Sequence, residues 1–297
     1  MMKKLSYCVG LYLLAGTSLA FADMNASNDS NVPNSGFFAG LGGGYNSFNV
    51  NQNLYASGVS DVYDGVTKVA SGEAGGPANP FNDTQTTLAP LVQFGYFQHF
   101  TSDWLWGAKF FYQYLNTTST NKAIDVPQFG SFTYTNDAPA PFTGHVTIAS
   151  TQTTVNHELA LMPFIGRSFQ HAYIYFGAGP VLFNVQSNVY NATGFAEIND
   201  AHYDITGGSS SFSNSDWIVG GGAQIGLSYY IDPTWFVDVN YTYAVAEFTD
   251  NNSGPFTGSS SDGTTTYDTV GTLYVNNKQL VTVQGVMLTI NKLFPGI

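Results

Sequence analysis

The chain has 297 residues and a formal net charge of −12 at pH 7, with 9% charged and 15% aromatic residues. Ordinary soluble domains carry about 25% charged residues, so this composition disfavours a typical soluble globular protein. The acidic balance also disfavours nucleic acid as a partner, because phosphates select Lys and Arg.

The N-terminus has the pattern of a cleaved secretory signal peptide. Lys3 and Lys4 precede an apolar stretch, and Ala20 and Ala22 frame a small-x-small cleavage site. The apolar stretch is shorter than the roughly 20 residues that a transmembrane helix needs. We therefore predict a signal peptide at residues 1–22.

Cleavage at this site changes the composition of the mature chain. Of the 8 Lys and Arg residues, 6 remain against 20 acidic residues, which gives a formal charge of −14. The single cysteine, Cys8, is removed with the signal peptide, so no disulfide is expected. We predict a short periplasmic segment at residues 23–35 and one domain at residues 36–297.

The mature sequence alternates apolar and small or polar residues with a period of two. No later apolar run approaches the length of a transmembrane helix, so a membrane crossing must use strands, and only a closed barrel satisfies their backbone groups in lipid. The alternation predicts eight membrane-crossing strands, at residues 36–50, 87–100, 104–117, 151–165, 172–186, 216–231, 235–248 and 280–294.

Three short turns alternate with four long connections, at residues 51–86, 118–150, 187–215 and 249–279. This alternation is typical of a transmembrane barrel with short periplasmic turns and long extracellular loops. The long connections are rich in Gly, Ser, Thr, Asn and Asp, so we predict solvated loops. Parts of them are expected to form hairpins that turn at Asn276-Asn277 and at Asn199-Asp200.

Several glycine-aromatic segments carry a family resemblance: Gly36 to Tyr45, Phe176 to Pro180 and Gly220 to Gly226, with a last strand that ends at Phe294. In these segments the chain resembles the eight-stranded outer-membrane barrels grouped around the OmpA transmembrane domain, OmpX and the opacity proteins. The resemblance is architectural and covers nearly the whole mature chain. It implies an all-β, antiparallel up-and-down transmembrane barrel in the bacterial outer membrane.

The same resemblance implies the partners of the protein. These are outer-membrane lipid, lipopolysaccharide, the barrel-assembly machinery, and host or cell-surface ligands of the loops. Family members usually end on an aromatic residue that the assembly machinery recognises, whereas here Phe294 is followed by Pro295-Gly296-Ile297.

Lys109, Glu158 and Asp238 fall on the polar faces of three predicted strands. We expect them to share the barrel interior as a salt-bridged plug, because a small barrel fills its lumen with side chains and buried charges require partners. The alternative is a gated polar path through the same residues. The other inward polar residues of this predicted lumen network are Gln93, Gln113, Gln224 and Asn240.

No catalytic, cofactor-binding or metal site is predicted. The five histidines are scattered, with no pair at a metal-ligand spacing. His202 and Asp204, taken with loop acids, match omptin-type proteases in neither order nor spacing. The wall aromatics Trp104, Trp106, Trp217, Trp235 and Phe294 are predicted to anchor the barrel at the membrane interfaces.

These features favour a non-enzymatic surface barrel that stabilises the envelope or interacts through its loops. An alternative is an OmpW-like narrow channel for small hydrophobic molecules, with which the inward Phe111 and Tyr175 are compatible. A soluble calycin-like barrel that binds a ligand on its inward apolar face is a third hypothesis. A wide aqueous porin is disfavoured because eight strands enclose too little space.

Overall fold

A computed structural model of the protein describes residues 33–198, 201–261 and 263–295. The predicted signal peptide, most of the 23–35 segment and the predicted Asn199-Asp200 turn lie outside the described residues. The strands are β1 (Ser35–Asp64), β2 (Thr67–Pro77), β3 (Phe81–His99), β4 (Trp104–Tyr134), β5 (Ala140–Ser168), β6 (Ala172–Ile198), β7 (Ala201–Asp204), β8 (Ser210–Asp232), β9 (Trp235–Ser261) and β10 (Thr266–Pro295). Within the described ranges, no helix has the length and apolar character to cross a membrane.

The strands form a closed antiparallel barrel. β1 pairs along its length with β10, and β3, β4, β5, β6, β8 and β9 follow one another around the wall. β2 and β3 share one wall position. β3 pairs with the part of β1 near the short turns, and β2 pairs with the part of β1 farther from them. Nine strands thus occupy eight positions, while β7 lies off the ring against β6. The predicted up-and-down barrel of about eight strands is confirmed.

The strands are much longer than predicted. β1 and β10 each have 30 residues and β4 has 31, whereas about 9–11 residues suffice to cross a membrane. At ~3.4 Å per residue, the wall continues far beyond a ~25 Å apolar band. The prediction that residues 51–86, 118–150, 187–215 and 249–279 are mainly loops was therefore wrong. The polar residues there alternate like those of the membrane strands and complete the same backbone ladders.

The predicted hairpin turn at Asn276-Asn277 was also wrong. Both residues lie inside β10 and pair with Tyr55 and Leu54 of β1. The Asn277 side chain is fully buried and accepts a hydrogen bond from Gln52 Nε2 at 3.0 Å. An asparagine side chain that is hydrogen-bonded inside the lumen can be buried in a strand, so the Asn-Asn pair does not require an exposed turn.

The outward residues of β1 and β3 show where the apolar wall ends. Leu41 and Leu88 are 69% and 79% exposed on the outside of the barrel. Outward pairs are apolar up to Tyr45 and Leu88, and the next pairs along the wall are Ser47–Thr86 and Asn49–Thr84. A soluble barrel would bury its large apolar residues, so the calycin-like hypothesis does not fit.

A bulge in β5 changes which residues face the lumen. Unbroken alternation with Leu159 and Leu161 would place Val155 on the outward face, but Val155 is fully buried inside. The register with β6 shifts between Val155 and His157, which inserts an extra residue into the strand. Such an insertion reverses the facing of all residues on one side of it.

Candidate functional site

Aromatic side chains close the lumen at the end that carries the short turns. Phe38, Phe97, Tyr173, Tyr175 and Phe236 belong to one buried cluster there. Phe38 meets Phe236 edge-on at 5.4 Å between ring centroids, and Phe97 lies 5.8 Å from Tyr173. Because these rings come from strands on several sides of the barrel, they fill its cross-section.

A buried ion pair lies beside this aromatic cluster. Lys109 Nζ is 3.1 Å from Asp238 Oδ2, and the two side chains are 3% and 2% exposed. Lys109 Nζ also donates to Tyr175 Oη at 2.7 Å. The Asp238 carboxylate accepts further hydrogen bonds from Tyr175, Ser228 and Asn240 at 2.9–3.1 Å. The charges are therefore embedded in a hydrogen-bond network, as buried charges require.

Glu158, the third charged residue of the predicted lumen network, lies apart from this ion pair. Gln113 Nε2 donates to Glu158 Oε2 at 2.5 Å, and Gln113 Oε1 accepts from Asn46 Nδ2 at 3.0 Å. The structure thus brings Lys109, Asp238 and Asn240 together, and joins Glu158 to Gln113 in a second group. Proximity of β4 and β5, whose residues 113 and 158 are paired, explains the second group.

The two remaining predicted lumen residues differ in their environment. Gln93 Nε2 donates to Thr289 Oγ1 at 2.8 Å and to Asn291 Oδ1 at 2.6 Å, which links β3 to β10 across β1. Gln224 is 2% exposed, and neither of its amide atoms has a hydrogen-bond partner in the described part of the chain.

A second polar layer, farther from the short turns, was missed by the sequence analysis. Gln52 Nε2 donates to Asn277, and Gln52 Oε1 accepts from Thr151 and Asn121 at 3.0 and 3.2 Å. Thr153 Oγ1 donates to Gln279 Oε1 at 2.5 Å. The signal for this layer was the continued period of two in residues 50–56, which the loop-like composition masked.

Apolar side chains fill the lumen on both sides of this second polar layer. One buried cluster below it includes Phe48, Leu115 and Val155, and another above it includes Leu54, Val126 and Val275. Apolar and polar layers therefore alternate along the barrel axis. The interior is packed with side chains, as expected for a barrel of this size.

The larger open space near the end opposite the short turns is a hollow on the outer face of the wall, because Asp61 and its pair Ser71 continue the outward alternation of Tyr55 and Val59. A cavity of about 710 Å³ is lined by residues that include Asp61, Glu73, Ser71, Thr133 and Thr272. Asp61 forms an exposed ion pair with Lys68 at 2.6 Å. Inside the lumen at this level, the cavity beside Phe256 and Gln128 has only about 40 Å³.

The predicted interface aromatics lie on the outer wall at two levels. Trp104, Trp106, Trp235 and Phe294 are 41–55% exposed and lie near the short turns. Trp217 lies near the other edge of the apolar band, where its ring stacks on His157 at 6.1 Å. In the described ranges no group of three or more His, Cys, Asp or Glu residues is arranged to hold a metal ion.

Comparison with known proteins adds a sequence relative. No family model matches the chain. It is 26% identical over 285 residues to outer membrane protein P1 of Coxiella burnetii (strain RSA 493 / Nine Mile phase I), which covers 94% of this chain and 90% of that protein.

Solved structures with a similar strand arrangement include three outer-membrane barrels. OprG of Pseudomonas aeruginosa covers 90% of this chain and 100% of its own, with 12% identity and a TM-score of 0.36. Ail of Yersinia pestis covers 80% and 98%, with 12% identity and a TM-score of 0.27. Neisserial surface protein A covers 77% and 95%, with 10% identity and a TM-score of 0.27. The closed ring, its apolar outer band and the sequence match to an outer membrane protein identify the chain as a bacterial outer-membrane β-barrel with eight wall positions.

Proposed function

We propose that this protein is a sealed, non-enzymatic surface barrel that stabilises the outer membrane and presents its raised extracellular sheet to ligands. The observation that carries the proposal is the packed lumen. Three buried apolar clusters alternate with hydrogen-bonded polar layers. A side-chain plug of this kind stabilises a small barrel and leaves no continuous aqueous path.

The outer face of the raised wall supports the surface-interaction part of the proposal. Its hollow lies well above the apolar band and offers carboxylates and hydroxyl groups from Asp61, Glu73, Ser71 and Thr133. Such groups form hydrogen bonds with polar host or cell-surface ligands. Lipopolysaccharide would surround the raised wall, and the outward Phe294 of the last strand is the residue that we assign to recognition by the barrel-assembly machinery.

Liposome swelling and ligand capture test the two parts of the proposal separately. We expect liposomes that contain the folded protein to resist swelling in sugars, with no conductance steps in planar bilayers. A glycan array probed with the detergent-solubilised barrel should show binding that Ser71→Trp removes, because Trp would fill the hollow on the outer face. Val66→Trp is the matched control, since Val66 is 98% exposed at the tip between β1 and β2. Sugar-driven swelling, or equal binding by both variants, contradicts the proposal.

A second candidate is a narrow path for small hydrophobic molecules, and an interruption of the wall favours it. Pairing between β3 and β4 ends at Leu91–Gln113, and pairing between β2 and β4 begins at Gly75–Phe129. Between these points, side-chain hydrogen bonds connect β3 to β4. Thr87 Oγ1 donates to Leu115 O at 3.0 Å, and Ser119 Oγ donates to the Asp83 carboxylate at 2.8 Å. We refer to this interruption of the backbone pairing as the seam; Leu115, which faces the lumen, lies beside it.

Short alkanes distinguish this candidate from the sealed barrel. If a lateral path exists, short alkanes should enter protein-containing liposomes faster than protein-free ones, while sugars should not. Leu115→Ala enlarges the space beside the seam and should speed alkane entry further. Equal alkane entry with and without the protein removes this candidate.

A further inference from the structure

A groove lies on the outer wall where β10, β1 and β3 meet. It has a volume of about 440 Å³ and is lined by Gly43, Tyr45, Leu88, Pro90, Val286 and Leu288, among others. Tyr45, Leu88 and Leu288 are between 53% and 79% exposed and form its apolar sides. The groove is therefore continuous with the lipid-facing surface of the barrel.

The absence of a side chain at Gly43 creates the floor of the groove. Gly43 follows the outward Leu41 by two residues, so it faces outward too, and it pairs with Pro90 of β3. A Cβ atom placed at Gly43 would have only Ala89 O near it, at 3.3 Å. A larger residue here would project into the groove rather than into the barrel wall.

Immediately beyond the groove, the outward surface changes to uncharged amides and hydroxyls. The outward pairs there are Ser47–Thr86, Asn49–Thr84 and Asn51–Asn82. Asn49 Nδ2 donates to Thr84 Oγ1 at 2.8 Å, and Asn51 Nδ2 donates to Asn49 Oδ1 at 3.1 Å. We refer to these six residues as the amide ladder; their mutual hydrogen bonds order a polar surface directly above the apolar groove.

We propose that the groove and the amide ladder bind one glycolipid of the outer leaflet, with an acyl chain against Gly43 and the sugar headgroup on the ladder. The occupant is a lipid because the groove opens onto the lipid-facing wall, at its extracellular edge. The headgroup is a sugar because the ladder supplies neutral donors and acceptors that match hydroxyl groups. A phosphate would instead call for Lys or Arg, and the ladder has neither. This site is independent of whether the lumen is sealed.

Native mass spectrometry of the full folded protein tests the site, after release from mild detergent in the presence of purified lipid A from which the phosphate groups have been removed, so that only the sugar and the acyl chains are probed. We expect the wild type to retain one lipid A molecule and Gly43→Leu to lower the retained fraction at least tenfold. Gly221→Leu is the matched control, because Gly221 also faces outward, has an open Cβ position and pairs with a proline, Pro180, on the far side of the barrel. It should retain lipid A as the wild type does.

A second variant tests the headgroup without changing the groove. The double substitution Asn49→Leu/Thr84→Val removes the polar surface, and we expect it to lower retention of lipid A while retention of a diacyl phosphatidylethanolamine stays unchanged. Heat-modifiable migration on gels verifies that each variant is folded. Retention of lipid A by folded Gly43→Leu at the wild-type level, or wild-type preference for the phospholipid, overturns the proposal.

Discussion

Lys109 and Asp238 lie on strands at opposite positions of the ring, β4 and β9, and their side chains meet at 3.1 Å inside the lumen. They are 129 residues apart in the sequence. Closure of the sheet alone brings them together, because neither strand pairs with the other. The ion pair therefore links two opposite strands of the barrel through the lumen.

Removal of one partner should strongly destabilise the barrel. Lys109→Met leaves the Asp238 carboxylate buried without its cation, which costs about 3 kcal/mol for a buried pair. Urea unfolding of the protein in lipid vesicles, followed by tryptophan fluorescence, measures the free energy of unfolding. The double variant Lys109→Met/Asp238→Asn should recover part of the loss, since the uncompensated charge is gone. A double variant as unstable as Lys109→Met would contradict this interpretation. Bilayer conductance should remain absent in both variants.

Of two glycines at neighbouring wall positions, only one should be sensitive to substitution by alanine. A Cβ at Gly179 of β6 would lie 2.0 Å from Leu161 O, whereas no atom lies within 4 Å of one at Gly221 of β8. Gly179→Ala should therefore cost about 2 kcal/mol or more through backbone displacement, and Gly221→Ala should be near neutral. The midpoint of heat-modifiable gel migration compares them. Equal midpoints would show that the wall relaxes at Gly179.

The edge of the apolar band should lie between two outward residues of β3. Leu88→Cys and Thr84→Cys, each labelled with a bimane or spin label, place a reporter on either side of it. The one cysteine of the sequence is Cys8, within the predicted signal peptide, so we expect no competing thiol after cleavage. We expect the Leu88→Cys label to be quenched by a lipid-soluble agent and the Thr84→Cys label by an aqueous one. If the Leu88→Cys label were quenched by the aqueous agent and the Thr84→Cys label by the lipid-soluble one, the membrane boundary would not lie between these two residues.

The turn between β8 and β9 should depend on the ionised form of Asp232. Its Oδ1 atom accepts hydrogen bonds from the Thr234 amide at 2.7 Å, the Thr234 hydroxyl at 2.8 Å and the Trp235 amide at 3.0 Å. The backbone hydrogen bond from Thr234, followed by its hydroxyl bond, lowers the pKa of this exposed carboxyl below its ordinary value.

A lowered pKa sets the direction of the pH effect. The stabilising contribution is fully present above the unfolded value of about 3.9 and is lost as pH falls through the lower folded value. NMR titration of the Asp232 carboxyl carbon in micelles should give a midpoint below that of an unstructured peptide. Asp232→Asn should lose the pH dependence of this turn while it keeps an acceptor oxygen. A midpoint at or above the peptide value would contradict the assignment.

The bulge at His157 shows why the sequence could place lumen residues only locally. Alternation on either side of the bulge is regular, so both halves of β5 were predicted as strand. The shift between Val155 and His157 changes the facing of one half, and it depends on pairing with β6 rather than on the residues of β5 alone. Glu158 therefore lies in the lumen, where alternation places it, whereas unbroken alternation would put Val155 on the outward face.

The sequence by itself determined the export pattern, the period-two strands, the positions of the short turns and the polar face that carries Lys109 and Asp238, because each depends on a few neighbouring residues. Only the tertiary structure decided that the polar connections continue as strands above the membrane, that Gln52 and Asn277 meet in the lumen, and that Lys109 pairs with Asp238 rather than with Glu158. These outcomes depend on ring closure and register, which set contacts between residues far apart in the chain and leave no local signal in the sequence.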